Sequence, residues 1–356
     1  MKKPITLFIA LAIVTVCKLH ATVRTVSNNP AGGSQYSTLI AAYNAAVNDD
    51  TLLLEGTDIV YEKTNSSLPW NKRLVVIGIG YNTTKSNFKK SLLRGEPGNA
   101  NEFFLGAGGN GSKFYGIEFS THVTGINPGV NNYAFYDCRV IGNVDCNAVS
   151  ISNSTFTNCI FNGVVALPSP SYAMSNIMFT SCVFDLYLAA NSNLGSIIVD
   201  HCLFLRGSES LYSLTGAVIQ NSIFYNSANI VSGGSVQGCS FLNNISRLNT
   251  TFPPTSSGAA NTAANNLTNT NPNLINVPFG QTYSTAHDYE LQAGSLGIAA
   301  GSDGSNIGPH GSSTNFSETG EALIAPVMRS FNIYNTTVVP NGTLKIQFTS
   351  SKPNDN

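Results

Sequence analysis

The dipeptide Asp200-His201, with Arg206 a few residues further on, has the residue types of a reaction centre. A histidine beside a carboxylate can move a proton near neutral pH, and an arginine can neutralise an anion that develops in a transition state. Other groups offer similar chemistry: His287, Asp288 and Glu290 in AHDYEL, Asp303 and His310 in SDGSNIGPHG, and the single Asp-Asp pair, Asp49-Asp50. Arg139 and Arg206 are of the type that meets acidic sugars. A glycosidase needs two carboxyl groups roughly 5–9.5 Å apart, and the acids available for stacking in the middle of the chain are Glu118, Asp145, Asp185, Asp200 and Glu209. They are spread singly, so the chemistry depends on what positions them.

The chain of 356 residues is 42% hydrophobic and only 10% charged, with a formal net charge of -1. That is too neutral for a nucleic-acid partner. The opening MKKPITLFIALAIVTVCKLHA has two lysines, an apolar run from Ile5 to Val16 and small Ala21, the pattern of a secretory signal peptide over 1–21. A rival reading makes Cys17 a lipid-modified N-terminus, but bulky Val16 precedes it. No later run is long enough to span a bilayer, so a secreted or cell-surface location is expected.

FTNCIFNG, FTSCVFDL, VDHCLFLR, IQNSIFYN and VQGCSFLN recur at nearly even intervals. Aligned on the residue before the Cys, Gly116, Asp137, Asn158, Ser181, His201, Asn221 and Gly238 form one column, with steps of 21, 21, 23, 20, 20 and 17. A period near 20 signals a repeat architecture. Large apolar residues stand two before this column and three after it, and Ile117, Cys138, Cys159, Cys182, Cys202, Ser222 and Cys239 stand one after. Strand alternation has a period of two, so an inward interval of three across the column requires a bend. Gly, Asn, Asp and His tolerate the left-handed backbone that such a bend needs. His201 and Asp137 are thereby explained by backbone geometry. No catalytic residue is expected, with Asp200, His201 and Arg206 kept as fallback candidates.

Each repeat therefore reads as strand, sharp bend, strand. Coils of this length build a parallel β-helix in which each turn hydrogen-bonds to the next. The run from FYGIEF to VQGCSF resembles the repeats of the right-handed parallel β-helix proteins, the pectin lyase superfamily. TVSNNPAGGSQYSTLIAAYNAAVNDDTLLLEGT is similar to their entry segment, a short amphipathic helix with Leu39, Ile40, Tyr43, Ala46 and Val47 on one face behind a possible N-cap, Ser37. NPNLINVPFGQTYSTAHDYELQAGSLGIAAGSDGSNIGPHG resembles the last coil of secreted bacterial members. The resemblance covers residues 22–311 and implies a fold, not an activity. Lyase members use clustered carboxylates for calcium with an Arg or Lys base. Hydrolase members use Asn-Thr-Asp, Asp-Asp and Gly-His-Gly motifs. Neither set is convincingly present here, and Asp49-Asp50 falls outside the repeats.

Six cysteines follow the signal peptide. Stacked Cβ atoms in a ladder lie about 4.8 Å apart, beyond the roughly 3.5–4.5 Å of a disulfide, so the Cys column is read as buried free thiols. No Cys-x-x-Cys pair suggests zinc, and no cofactor or metal is expected. Ile160, Val183, Leu203 and Ile223 stand between the inward Cys and apolar columns and face outward. A soluble protein rarely leaves such a strip bare, so the C-terminal tail or a long loop is expected to cover it, unless it binds a partner.

The expected fold class is all-β: a single-stranded right-handed parallel β-helix (solenoid) with a short N-terminal capping helix and a C-terminal strand tail. The β-helix spans 22–310, with an entry and cap over 22–56, regular coils over 114–242, and a long loop and last coil over 243–310. A linker over 311–325 and strands over 326–356 follow. Two functions stay open. One is a non-catalytic secreted or surface protein that binds polysaccharide or cell-surface glycan; the alternative is a polysaccharide lyase or glycoside hydrolase with an unrecognised site.

Overall fold

A computed structural model describes residues 21–351 apart from 31–32, 64–68, 87, 96–101, 127, 191–195, 206–208, 228, 232–235, 256–257, 315, 322–326, 334–341 and 344–345. The proposed signal peptide up to residue 20, Cys17 and the fallback candidate Arg206 lie outside the described residues. Three parallel sheets of 12, 9 and 7 strands wind as a right-handed parallel β-helix, the expected fold class. The first sheet holds the strands that precede the bend, such as Ala134–Tyr136 and Ile197–Asp200. The second holds the short strands after it, such as Ile160–Phe161 and Leu203–Phe204. The third runs from Phe103–Leu105 to Asn229–Val231. No helix among the described residues is long and apolar enough to cross a membrane.

All seven residues of the bend column have positive φ: 52° at Asp137, 54° at Asn158, 52° at Ser181, 51° at His201 and Asn221, 62° at Gly116 and 63° at Gly238. Register carries like residues into stacks. Phe114, Phe135, Phe156 and Phe179 form one ladder with adjacent ring centroids 4.9–5.2 Å apart. Phe161, Phe184, Phe204 and Phe224 form a second at 4.7–5.1 Å. Burying each ring contributes roughly 1.5–3 kcal/mol, so the repeated Phe is a main source of the stability that holds the coils in register.

The last member of the aligned column is out of phase. Ser240–Leu242 pairs with Val218–Gln220, placing Phe241 beside Ile219 and making Asn243 (φ 52°), not Gly238, the successor of Asn221. The cause is a second left-handed bend five residues before the first, at Gly111, Asn132, Asn153, Asn176, Gly216 and Gly238. VQGCSF fits the repeat at this earlier bend. Cys239 accordingly sits beside Ala217, whose amide lies 3.4 Å from its Sγ, and leaves the Cys ladder. The six described cysteines are nevertheless all buried and free. Burial pushes the Cys138, Cys159 and Cys182 thiols well up.

At the entry, the helix Leu39–Ala45 is capped by Thr38, which accepts from the Ala41 amide at 3.2 Å; Ser37 is not the cap. Lys72 closes the other end by donating to the carbonyls of Tyr43, Asn44 and Ala46. Leu39, Ala42 and Ala46 are buried over the core's first coil, whereas Val47 is exposed.

After Thr262–Ala264, the last parallel rung of the first sheet, one further parallel bridge joins Leu267 to Ile245 before the regular coiling ends. Leu274–Asn276 pairs antiparallel with Asp288–Leu291. Leu274, Val277, Tyr283, Tyr289, Ile307 and Phe316 pack on the strip Ile160, Val183, Leu203 and Ile223, forming a second hydrophobic core outside the solenoid. The outward strip is thus covered by the chain's own 274–316. The tail forms an antiparallel pair, Val327–Ile333 with Ile346–Ser351.

Candidate functional site

The segment that covers the second sheet returns along the bends, from the late coils to the early ones. Asn243 Nδ2 donates to the Ala300 carbonyl at 2.9 Å, and Asn221 Nδ2 to Ser302 Oγ at 3.1 Å. Ser181 bonds to Ser312, and Asn158 both donates to the Thr314 carbonyl at 3.2 Å and accepts from Thr314 Oγ1 at 3.0 Å. The amides of Tyr81 and Asn82 each donate to the Thr319 carbonyl at 3.2 Å. The bend column therefore has two roles. Its backbones turn the coils, and its side chains hold a strap over 300–320.

His201 lies beneath this strap with its side chain 2% exposed. Its Nε2 is 2.8 Å from Ser305 Oγ and 4.0 Å from Asp303 Oδ1. A Cβ placed on Gly311 would stand 2.7 Å from His201 Cδ2, so the strap lies directly against the ring. Nδ1 is 2.9 Å from Asp200 Oδ1, without the alignment of a good hydrogen bond. The two side chains are in contact but are not aligned as a proton relay. Burial raises the Asp200 pKa, but His201, the Asn221 amide at 2.9 Å and Gln220 outweigh it and hold the carboxyl below its ordinary value. The pair that the sequence singles out is brought together, but the imidazole is sealed from any polymer.

Asp137, in the same column, is 1% exposed and bonded by Asn158 Nδ2 at 3.1 Å. Burial pushes it up to about 7, against the pull of the Asn158 amide. Arg139 is committed to Glu118 at 3.1 Å and Asn162 at 2.9 Å, with its guanidinium 5.0 Å from the Tyr283 ring centroid. It clamps the covering segment and is not presented to an acidic sugar. Asp50 is buried against Arg24 at 2.9 Å, and Asp49 pairs with Arg73 at 2.6 Å. The Asp-Asp pair serves the entry coil.

A cluster that the sequence does not single out as a unit forms where three distant segments meet. His310 Nε2 is 3.3 Å from Glu318 Oε1, and its Nδ1 is 3.6 Å from Glu290 Oε1. Lys85 pairs with Glu318 and donates to the His287 carbonyl at 2.5 Å. Burial pushes His310 down to about 4 and lowers Lys85. His287, Glu290 and His310 are visible as motifs, but their junction with Lys85 spans some 200 residues of sequence. No group of three or more His, Cys, Asp or Glu among the described residues has metal-holding geometry.

The first sheet's outer face is not covered in this way. Tyr115, Tyr136, Thr157, Thr180, Asp200 and Gln220 stand in register, one per coil, all partly exposed. The two tyrosine rings stack at 4.7 Å and 9°. On one side the strap adjoins this row, with Gly320 O 3.1 Å from where a Cβ of Gly116 would stand. On the other side lies a polar ladder, in which Asn131 bonds Ser152 at 2.6 Å and Asn176 bonds both Asn153 and Ser196 at 2.9 Å.

No family model matches the sequence, and no curated protein matches it. The chain is similar to the crystal structure of pectate lyase Pel9A, at 13% identity and a TM-score of 0.45, over 81% of this chain and 96% of that one. It is also similar to a rhamnogalacturonan lyase, at 12% identity and a TM-score of 0.32, over 77% of this chain and 97% of that one. Its own strand pairing makes the fold a parallel β-helix.

Proposed function

We propose that the protein is an extracellular β-helix that binds polysaccharide on the outer face of its first sheet. The observation that carries this reading is where the chain covers itself. Its own segment packs on the outward strip of the second sheet and on the bends, while the first sheet keeps a row of phenol, hydroxyl, carboxylate and amide groups partly exposed over six successive coils, between Ile77 and Leu242. Such groups exchange hydrogen bonds with sugar hydroxyls, and tyrosine adds an apolar ring that tolerates water at its edge. A leader over 1–21 would deliver the protein to where such polymers lie. Affinity electrophoresis of the mature chain in gels containing neutral or acidic polysaccharides tests the reading. Retardation by at least one neutral polymer, little changed by salt, is expected; uniform mobility across the panel would refute it.

A second reading, a polysaccharide lyase or hydrolase, is favoured by one observation. Lys85 and His310 carry shifted protonation equilibria beside Glu318 and Glu290, and such groups suit acid-base chemistry. Against it, these side chains pair with one another and tie three segments together. Product absorbance and reducing-end assays on the same panel separate the two readings. Steady turnover that is lost in Lys85→Met, with binding retained, would establish the second.

A further inference from the structure

We infer that the bound polymer is an uncharged, extended glycan lying parallel to the solenoid axis, along the row from Tyr115 to Gln220 at the foot of the strap. This rests on the proposed polysaccharide-binding function and specifies the ligand and its direction.

Direction follows from where the structure repeats itself. Across a strand such as Ala134–Tyr136 only two side chains face outward before the chain turns. Along the axis, by contrast, a side chain with a polar atom recurs on every coil at the strand spacing of about 4.8 Å. The row from Tyr115 through Tyr136, Thr157, Thr180 and Asp200 to Gln220 has five such intervals, or about 24 Å. A polymer repeats along its length, so a periodic row of donors and acceptors serves it best when the two repeats run side by side. The strap on one flank and the Asn131, Ser152, Asn153 and Asn176 ladder on the other confine it to that line.

Charge selects the class. Along the strands from Lys113–Tyr115 to Val218–Gln220, the outward residues with a formal charge are Lys113 at the margin and Asp200. The Asp200 carboxylate is already engaged by Asn221 and His201. An acidic chain would meet one carboxylate on the row that repels it, and a single cation, Lys113, only beside the Tyr115 end. Beside the row, Met178, Ile198 and Val218 give an apolar flank, with Met178 40% exposed, that suits the C–H face of a sugar ring.

The test is calorimetric titration of the mature protein with neutral glucan, mannan and xylan oligomers from dimer to octamer, chosen from whichever polymer retards it in gels. Affinity should rise with length and level off only when the oligomer covers the row. Tyr115→Ala and Gln220→Ala, at opposite ends, should each weaken the longest oligomer by roughly three- to tenfold, the equivalent of one net hydrogen bond. The shortest oligomer should lose affinity in at most one of the two. Thr157→Val keeps the shape at the centre and should weaken all lengths, with the melting temperature unchanged. Affinity that levels off at the trimer, or that ignores one end of the row, would overturn the axial placement while leaving glycan binding intact. Tighter binding of acidic oligomers would overturn the charge assignment, and absence of binding to every polymer would instead remove the function on which the inference rests.

Discussion

Replacing Asp137 with Asn should stabilise the protein at neutral and alkaline pH and leave it nearly unchanged at pH 4. Asp137 is a carboxyl in a column otherwise filled by Gly, Asn, Ser and His, buried to 1% exposure, with Asn158 Nδ2 donating to its side chain at 3.1 Å. Its pKa is pushed from an ordinary 3.8 up to about 7, chiefly by burial. Between these values the native state holds a proton that the unfolded chain releases, so stability falls as pH rises from about 4 to about 7 and stays low above that. The shift of 7 − 3.8, roughly 3 pKa units, corresponds to about 4 kcal/mol at 1.36 kcal/mol per unit. Asn removes the titration without disturbing the bend, because Asn158 and Asn221 already adopt φ of 54° and 51° there. Denaturant melts of both proteins at pH 4, 6 and 8 measure the difference, in which all other titrating groups cancel. A variant that tracks the parent's pH dependence, or is less stable at pH 8, would show that Asp137 is solvated or paired and that the strap does not seal the column.

Other predictions probe the coils and their cover. At Asn158, Val should cost roughly 1–3 kcal/mol more than Gly, because both lose the Thr314 and Asp137 bonds but only Val strains a left-handed backbone; equal melts would place the bend elsewhere. Leu203→Ala should cost about 2–5 kcal/mol and speed proteolysis within 274–316 before the coils are cut, since Leu203 belongs to the outer core; unchanged cleavage there would mean that the cover is held by other contacts. The six described cysteines should resist a thiol reagent in the native protein and all react after denaturation; fast native labelling, or fewer thiols on unfolding, would contradict their reading as buried free thiols.

The coils were legible because a solenoid writes the same requirement into every turn. The left-handed backbone at Asn158, Ser181 and Asn221 restricts residue type at each step, and the Phe ladders repeat one inward position. The same redundancy misled at Gly238, where a second bend five residues upstream offers the same local pattern, and only pairing with Val218–Gln220 fixes the phase. The cover was legible only from one side. The bare strip of Ile160, Val183, Leu203 and Ile223 demanded a partner, but Leu274, Val277, Tyr283 and Phe316, which cover it, follow no period in the sequence. Asp200 and His201 could be read as neighbours, whereas their closure by Gly311 and Ser305 depends on contacts some 100 residues away. The Lys85, Glu318 and His310 cluster was hidden for the same reason.

The central claim is that the open first sheet, and not the strapped bends or second sheet, carries the ligand. Its most direct test is to place a bulky charge on each side and measure binding to a retarding neutral polysaccharide. Thr157→Arg and Thr180→Arg alter partly exposed positions on the row, while Thr285→Arg alters a partly exposed position on the covering segment. The account predicts that both row variants lose binding while keeping their parent's melting temperature, and that the Thr285 variant binds as the parent does. Binding that survives in both row variants and disappears in Thr285→Arg would move the site to the cover and contradict the account.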